Sequence, residues 1–196
     1  MATFYLIRHG DKQRTDLMVG RMPGVHLTAV GQRQARAVAR RLKKVRLTAL
    51  YASPLERAVE TAQPLARARK LRIETRAAFE EVDVGDWTGM KMATLRRTRA
   101  WRELAAFPAG RPIPGGETLA EVQARIVSEL IRLNAAAPNG EIAVVTHEDP
   151  IRLAICHFIG APMNAYEHVT VKPGSITILR LDRDCAVLER VDEPPP

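Results

Sequence analysis

Phe4-Tyr5-Leu6-Ile7-Arg8-His9-Gly10 is the stretch from which the rest of the chain can be read. Four apolar residues, two of them aromatic, make a run that suits a buried parallel strand, and the polarity then switches abruptly to Arg-His-Gly. A histidine therefore stands at the carboxyl end of a strand, where open α/β sheets bind their ligands. Gly10 would let the backbone turn sharply and keep bulk away from such a ligand. Arginine offers a planar fork that matches two phosphoryl oxygens, and histidine titrates near neutrality and serves as nucleophile, base or acid. Taken alone, the tripeptide is better explained as a basic strand-to-loop junction, so the remaining chain has to decide.

The chain has 196 residues, 46% of them hydrophobic, enough for one core of ordinary size. No apolar run approaches the roughly 20 residues that span a bilayer, and the N-terminus lacks the order of a secretory signal. A cytoplasmic protein with no membrane partner is expected. Cys156 and Cys185 have no metal-ligand spacing and are too few for a disulfide framework, so both are expected as packing residues in a reducing compartment. The formal charge is +8, and residues 1–46 alone carry eleven Lys and Arg against Asp11 and Asp16. Arg33, Arg36, Arg40, Arg41, Lys43 and Lys44 share a predicted helix with Ala35, Val38, Ala39 and Leu42, which reads as a solvated helix face. With 5% aromatic residues and no base-stacking motif, no specific nucleic-acid partner is expected.

In chain order, a basic loop from Asp11 to Val25 leads to Thr28, a predicted N-cap for a helix to about Lys44. Leu47 to Ser53 reads as a strand, and Pro54 suits the first position of a helix whose first turn carries Arg57. Pro64 should perturb that helix, and Leu71 to Thr75 reads as a third strand. Residues 79–89 are acid-rich without a clean period, Ala100 to Phe107 reads as a short helix, and Pro108 to Gly116 as a Pro/Gly linker. Thr118-Leu119-Ala120-Glu121 has the capping-box form and opens a helix with Leu119, Val122, Ile126 and Leu133 on one face. Glu141 to Thr146 is a second buried-type strand, again closed by a histidine, His147, and Pro150 is expected to open the next helix. Ser175 to Leu181 and Ala186 to Val191 read as a terminal hairpin.

Alternating strands and helices, with two strands ending in histidine, imply a three-layer α/β fold: a mainly parallel sheet with helices on both faces. Its carboxyl edge would gather both imidazoles. With Arg8, Arg57 and a carboxylate they supply what phosphoryl transfer needs, namely cations for the oxygens, a nucleophile and a proton donor. Residues 1–193 are expected as a single domain with a small insertion or lid at about 79–116, and 194–196 as a disordered tail.

Leu6-Ile7-Arg8-His9-Gly10, Tyr51-Ala52-Ser53-Pro54-Leu55-Glu56-Arg57-Ala58, Glu81 to Gly89, Pro114-Gly115-Gly116-Glu117-Thr118 and Val145-Thr146-His147 together resemble the histidine phosphatase superfamily, in its phosphoglycerate-mutase-like branch. They follow the family's order over nearly the whole chain. The resemblance implies a phosphoglycerate-mutase-like fold and a phosphomonoesterase acting on a small-molecule phosphate ester, with no cofactor and no metal. It also implies that His9 is phosphorylated and then hydrolysed, that Arg8, Arg57 and His147 hold the phosphoryl oxygens, and that Glu81 protonates the leaving oxygen and later activates water. Glu80 is the alternative acid if the register differs by one. His9 must be neutral to attack, so its other ring nitrogen needs a hydrogen-bond partner that the sequence does not name.

The chain departs from the family pattern at two places. Thr15 stands where the family has a phosphate-binding Asn, and is expected to donate a weaker bond. Glu148-Asp149 follows the second histidine in place of glycine, and a carboxylate there repels phosphate unless it points away or bonds a cation. Lys12, Arg14 and Arg21 are expected to offset it and to favour a substrate with a second anionic group. The compact length resembles alpha-ribazole phosphatase-like and broad-specificity members more than the longer mutases. A mutase, and a catalytically weak regulatory or nucleic-acid-binding module, are the alternatives, and a homodimer is an expectation drawn from the family. A metal-dependent hydrolase built on His147-Glu148-Asp149 is disfavoured, because adjacent residues point apart. His26, His157 and His168 are read without catalytic roles, and Trp87 and Trp101 as packing residues.

Overall fold

Two parallel strands, β1 (Ala2–Arg8) and β4 (Glu141–Thr146), lie side by side at the centre of a six-stranded sheet. On one side β4 pairs in parallel with β2 (Ala49–Ala52), which pairs with β3 (Ile73–Thr75). On the other, β1 pairs antiparallel with β5 (Ile176–Leu181), which returns as β6 (Ala186–Glu193), giving the order β3-β2-β4-β1-β5-β6. The sheet is mainly parallel with an antiparallel hairpin at one edge, as expected. The computed structural model describes residues 1–183 and 185–194, so Pro195 and Pro196 of the expected tail lie outside the described residues.

Alternation along the central strands sorts the core into two layers. Phe4, Leu6, Ile142 and Val144 face one way and pack on Ile126, Leu130, Ile151 and Ala154, from helices α5 (Leu119–Ala136) and α6 (Glu148–Phe158). Ile7, Ala143 and Val145 face the other way and pack on Val38, Leu42, Ala58, Ala62 and Leu65, from or beside α1 (Ala29–Arg41) and α2 (Glu56–Arg69). A third cluster around Trp87, Leu95, Ile113 and Val122 fastens residues 82–113, including the short helices α3 (Met92–Leu95) and α4 (Arg99–Ala106), beside α5 and α6. Trp87 and Trp101 pack with ring centroids 5.7 Å apart.

The caps at Thr28 and Thr118 form as read, the second as a full capping box with Glu121. Several boundaries differ. α1 ends three residues early, because beyond Leu42 the bonds tighten into three-residue turns and Leu42 itself enters the core. α2 starts at Glu56, so Pro54 stays outside: Leu55 caps in an extended conformation while its N–H bonds Ser53 Oγ at 3.3 Å. Pro64 does not break α2. The interior proline forfeits one backbone bond, and burial of Ala58, Ala62 and Leu65 outweighs that loss. α6 begins two residues before Pro150, placing Glu148 and Asp149 in the first turn, where the helix dipole favours negative charge. Cys156 is a buried packing residue, but Cys185 is exposed on the hairpin turn and does not pack as expected.

Candidate active site

Because β1 and β4 are parallel neighbours, the residues that follow them emerge together at the carboxyl edge. The His9 N–H donates to Thr146 O at 2.9 Å, and the His9 and His147 rings stand edge to face, 5.1 Å between centroids. β2 flanks β4 on its other side, and Ser53, which follows β2, puts its hydroxyl 2.8 Å from His147 Nε2. The same strand-end logic that picks out the histidines would have found Ser53, which sequence reading left without a role.

His9 is 2% exposed, and its Nδ1 lies 2.7 Å from Gly10 O, the partner that sequence could not name. A carbonyl only accepts, so Nδ1 carries the proton and Nε2 keeps its lone pair. Burial, and then the Arg57 charge, hold the His9 pKa well below its ordinary value, so the ring is neutral. The backbone is equally constrained: the Gly10 N–H donates to Thr61 Oγ1 at 3.0 Å, and a Cβ on Gly10 would stand 2.6 Å from Gly31 O. Only glycine permits that approach of the loop to α1. His147 is likewise kept neutral by burial and Arg57. Ser53 Oγ accepts from the Leu55 N–H and can still pair with either tautomer of His147 through Nε2; Glu81 Oε2, an acceptor 4.0 Å from Nδ1, favours the ring proton on Nδ1.

Arg57, in the first turn of α2, is fully buried. One terminal nitrogen donates to Gly20 O at 2.7 Å, whereas Nε and Nη1 have no partner among the described residues. Arg8 spends both terminal nitrogens, on Val171 O and on Glu148 Oε2 at 2.7 Å, and its buried Nε has no partner among the described residues. The other Glu148 oxygen lies 2.6 Å from Arg152 Nη2. Glu148 is thus held between two arginines, which removes the repulsion its position suggested. Buried N–H groups are nearly always satisfied. Among the described residues, Arg8 Nε, Arg57 Nε and Nη1 and His147 Nδ1 are four orphan donors, and the two guanidinium charges and the His147 ring all bear on the neutral His9.

Two carboxylates compete for the role of acid. Glu81 Oε2 stands 4.0 Å from His147 Nδ1, while Glu80 turns to Arg21, 3.2 Å away. Burial raises the Glu81 pKa against the opposing pull of Arg57 and of the Val82 N–H. Asp149 is raised too, by burial and by the Glu81 and Glu148 charges. Of the three basic residues expected to offset Glu148, only half-buried Lys12 joins the cluster's field, its pKa lowered by burial and by Arg57. Arg14 is exposed, and Arg21 is consumed by Glu80, Glu117 and Glu81 O. Thr15 is an exposed loop residue, and among the described residues no hydrogen bond joins it to the cluster. His147 turns to Ser53, away from Glu148 and Asp149, which share Arg152, Glu148 also reaching Arg8. Among the described residues no group of three or more His, Cys, Asp or Glu is arranged to hold a metal ion, and no helix is long and apolar enough to cross a membrane.

Arg125 was missed altogether. It sits on the polar side of α5, where periodicity reads only a solvated face, yet its guanidinium reaches the Ala78, Glu80 and Glu81 carbonyls.

The family model described as histidine phosphatase superfamily (branch 1) matches residues 4–194. Phosphoserine phosphatase 1 of Hydrogenobacter thermophilus is 27% identical over 187 residues, covering 93% of this chain and 88% of the relative. Phosphoglycerate mutase-like protein 4 of Arabidopsis thaliana is 32% identical over 157 residues, covering 77% and 68%. The solved alpha-ribazole phosphatase of Shigella flexneri superposes with a TM-score of 0.88 at 25% identity, covering 98% of this chain and 96% of that one. The motifs that meet at the carboxyl edge of this sheet and the near-complete span of the match agree: the chain belongs to the histidine phosphatase superfamily, branch 1.

Proposed function

We propose that the protein is a phosphomonoesterase that hydrolyses a small-molecule phosphate ester through a phosphohistidine at His9, without a metal. The observation that carries this reading is the set of four orphan donors, from Arg8, Arg57 and His147, around a neutral His9. Such a cradle suits the equatorial oxygens of a phosphoryl group and is organised before the ligand arrives. In the first step His9 Nε2 attacks phosphorus, the ester P–O bond breaks, and the Glu81 carboxylic acid gives its proton to the departing alkoxide. In the second, the Glu81 carboxylate takes a proton from water, whose oxygen attacks phosphorus, and the P–N bond breaks to release inorganic phosphate. Splitting one hard displacement into two is the gain of a covalent intermediate. The position of Glu81, and of Glu80 at Arg21, supports Glu81 as the acid. Thr15 has no place in this scheme.

The names of the relatives, a phosphoserine phosphatase and an alpha-ribazole phosphatase, support water as the acceptor and a small metabolite phosphate as substrate. The mutase-like relative keeps a second reading open, in which the phosphohistidine returns its group to a bound product hydroxyl. We read residues 1–193 as one domain, with 79–116 as a lid. In support, the Met92 N–H bonds Asp16 O and the Met18 N–H bonds Met90 O, tying this segment to the loop after His9. The free cysteines suit a cytoplasmic setting, and a homodimer is the expected assembly.

The test is hydrolysis of an aryl phosphate with chelator present, followed by alkaline quench and detection of base-stable, acid-labile phosphoprotein. The natural chain turns over and labels; His9→Ala does neither. Turnover abolished by chelator, or retained in His9→Ala, would sink the reading.

A further inference from the structure

Ala77–Phe79 make a single 3-10 turn and residues 80–83 are irregular, so the carbonyls from Ala78 to Glu81 have no ladder to join and must find partners elsewhere. Side chains supply them. The Phe79 carbonyl accepts from Thr146 Oγ1 at 2.7 Å, fastening the segment to the end of β4. Arg125 Nη1 donates to Ala78 O at 2.9 Å and to Glu80 O at 2.7 Å, and its Nη2 to Glu81 O at 3.0 Å. The remaining donors of Arg125 go to Glu117: Nε to Oε1 at 3.0 Å and Nη2 to Oε2 at 3.1 Å. All five N–H groups of the guanidinium are therefore used. Glu117 also takes Arg21 Nη2 at 2.8 Å and the Asp83 N–H at 3.0 Å. Arg21 Nε in turn donates to Glu81 O at 3.0 Å, so the Glu81 carbonyl is held by two guanidinium groups from different elements.

We propose that Arg125 is the positioning residue for the acid chemistry of Glu81, setting through the backbone the direction in which that carboxyl group points, with Glu117 and Arg21 completing its setting. This rests on the reading of Glu81 as acid and base. Arg125 spends all its N–H groups within the protein and offers none to substrate, so beyond the charge it presents to His147 its effect reaches the reaction through the Glu81 carboxyl group. The loop ends at the acid: Val82 N–H, one residue beyond the doubly held carbonyl, bonds Glu81 Oε1 at 3.0 Å and leaves Oε2 directed at the cradle. A displacement of about an ångström is enough to impair a proton donor severely.

Leaving-group dependence separates this role from a merely structural one. An alkyl phosphate needs a proton on its departing oxygen, whereas an aryl phosphate with an acidic phenol departs with little help. The natural chain, Glu81→Gln, Arg125→Lys and Glu117→Gln are compared by kcat/KM on one ester of each kind, with circular dichroism as the check on folding. Arg125→Lys is expected to lose on the order of tenfold more activity on the alkyl than on the aryl ester. It should lose little further in combination with Glu81→Gln, because both changes remove one function. Equal losses on both esters in Arg125→Lys, while Glu81→Gln still discriminates, overturn the proposal and leave the reading of Glu81 standing. If Glu81→Gln itself does not discriminate, that reading falls and the positioning role falls with it. If neither Arg125→Lys nor Glu117→Gln folds, Arg125 is a folding residue and the proposal is likewise overturned.

Discussion

The two sides of the site are built in opposite ways. On one side stand Arg57, Arg8 and His147, with four buried N–H groups that have no partner. On the other, the segment bearing Glu81 is saturated, with its successive carbonyls from Ala78 to Glu81 each accepting from a side chain. Unsatisfied buried donors cost stability unless something external completes them, so they mark where a ligand belongs. Saturation instead marks a group whose own position matters. On the proposed reading, the contrast separates binding from proton transfer even though arginines stand on both sides.

The largest effect expected from breaking this contrast is at the saturated side. With His9 kept neutral by its lowered pKa and Glu81 raised, kcat/KM for an alkyl ester should hold at pH values below the raised Glu81 pKa. It should fall as pH rises through the raised Glu81 pKa, because the first step needs the protonated acid. Glu81→Gln should erase that alkaline limb and cost roughly 100- to 10,000-fold on the alkyl ester. An unchanged limb in the variant would assign it to another group.

On the unsatisfied side, Arg57→Ala removes two of the four orphan donors and a buried charge. A loss of roughly 100- to 1,000-fold in kcat/KM is expected, the scale seen for one preorganised donor. The natural chain should also gain thermal stability from inorganic phosphate, and the variant should gain far less. Equal stabilisation of both by phosphate would show that the cradle lies elsewhere.

The smallest effect lies at the border between the two sides, where Glu148 holds one terminal nitrogen of Arg8. Glu148→Gln keeps the shape and removes the charge, so Arg8 would act on phosphate with less compensation. For a pair that is partly exposed, the gain is modest: inorganic phosphate should inhibit about 2- to 10-fold more strongly. Weaker inhibition would mean that Glu148 chiefly orients Arg8 rather than masking it.

Legibility differed in the same way between the two sides. His9 and His147 could be found because a buried strand announces itself by its apolar run, and ligand chemistry in α/β sheets sits just past the strand end. Arg57 could be placed near them because a helix follows β2 directly. Glu81 carried no periodic signal and came only through family resemblance, while Thr15, carried over in the same way, stands exposed and outside the cluster. Ser53 was within reach of the strand-end argument. Arg125 was not, since on α5 it is one charged residue on a polar face, and the carbonyls it holds are 44 to 47 residues away in the chain.

Local sequence thus determined which elements form and which chemistry gathers at the carboxyl edge, since side-chain period, caps and strand-end polarity act over a few residues. Tertiary packing decided the rest: which nitrogen of His9 is free, that Glu148 faces arginines rather than phosphate, that Pro64 is carried inside α2, and that Glu81 rather than Glu80 meets His147. The reason is physical. Each of those outcomes depends on burial, and on a partner brought from a distant segment, neither of which the chain encodes locally.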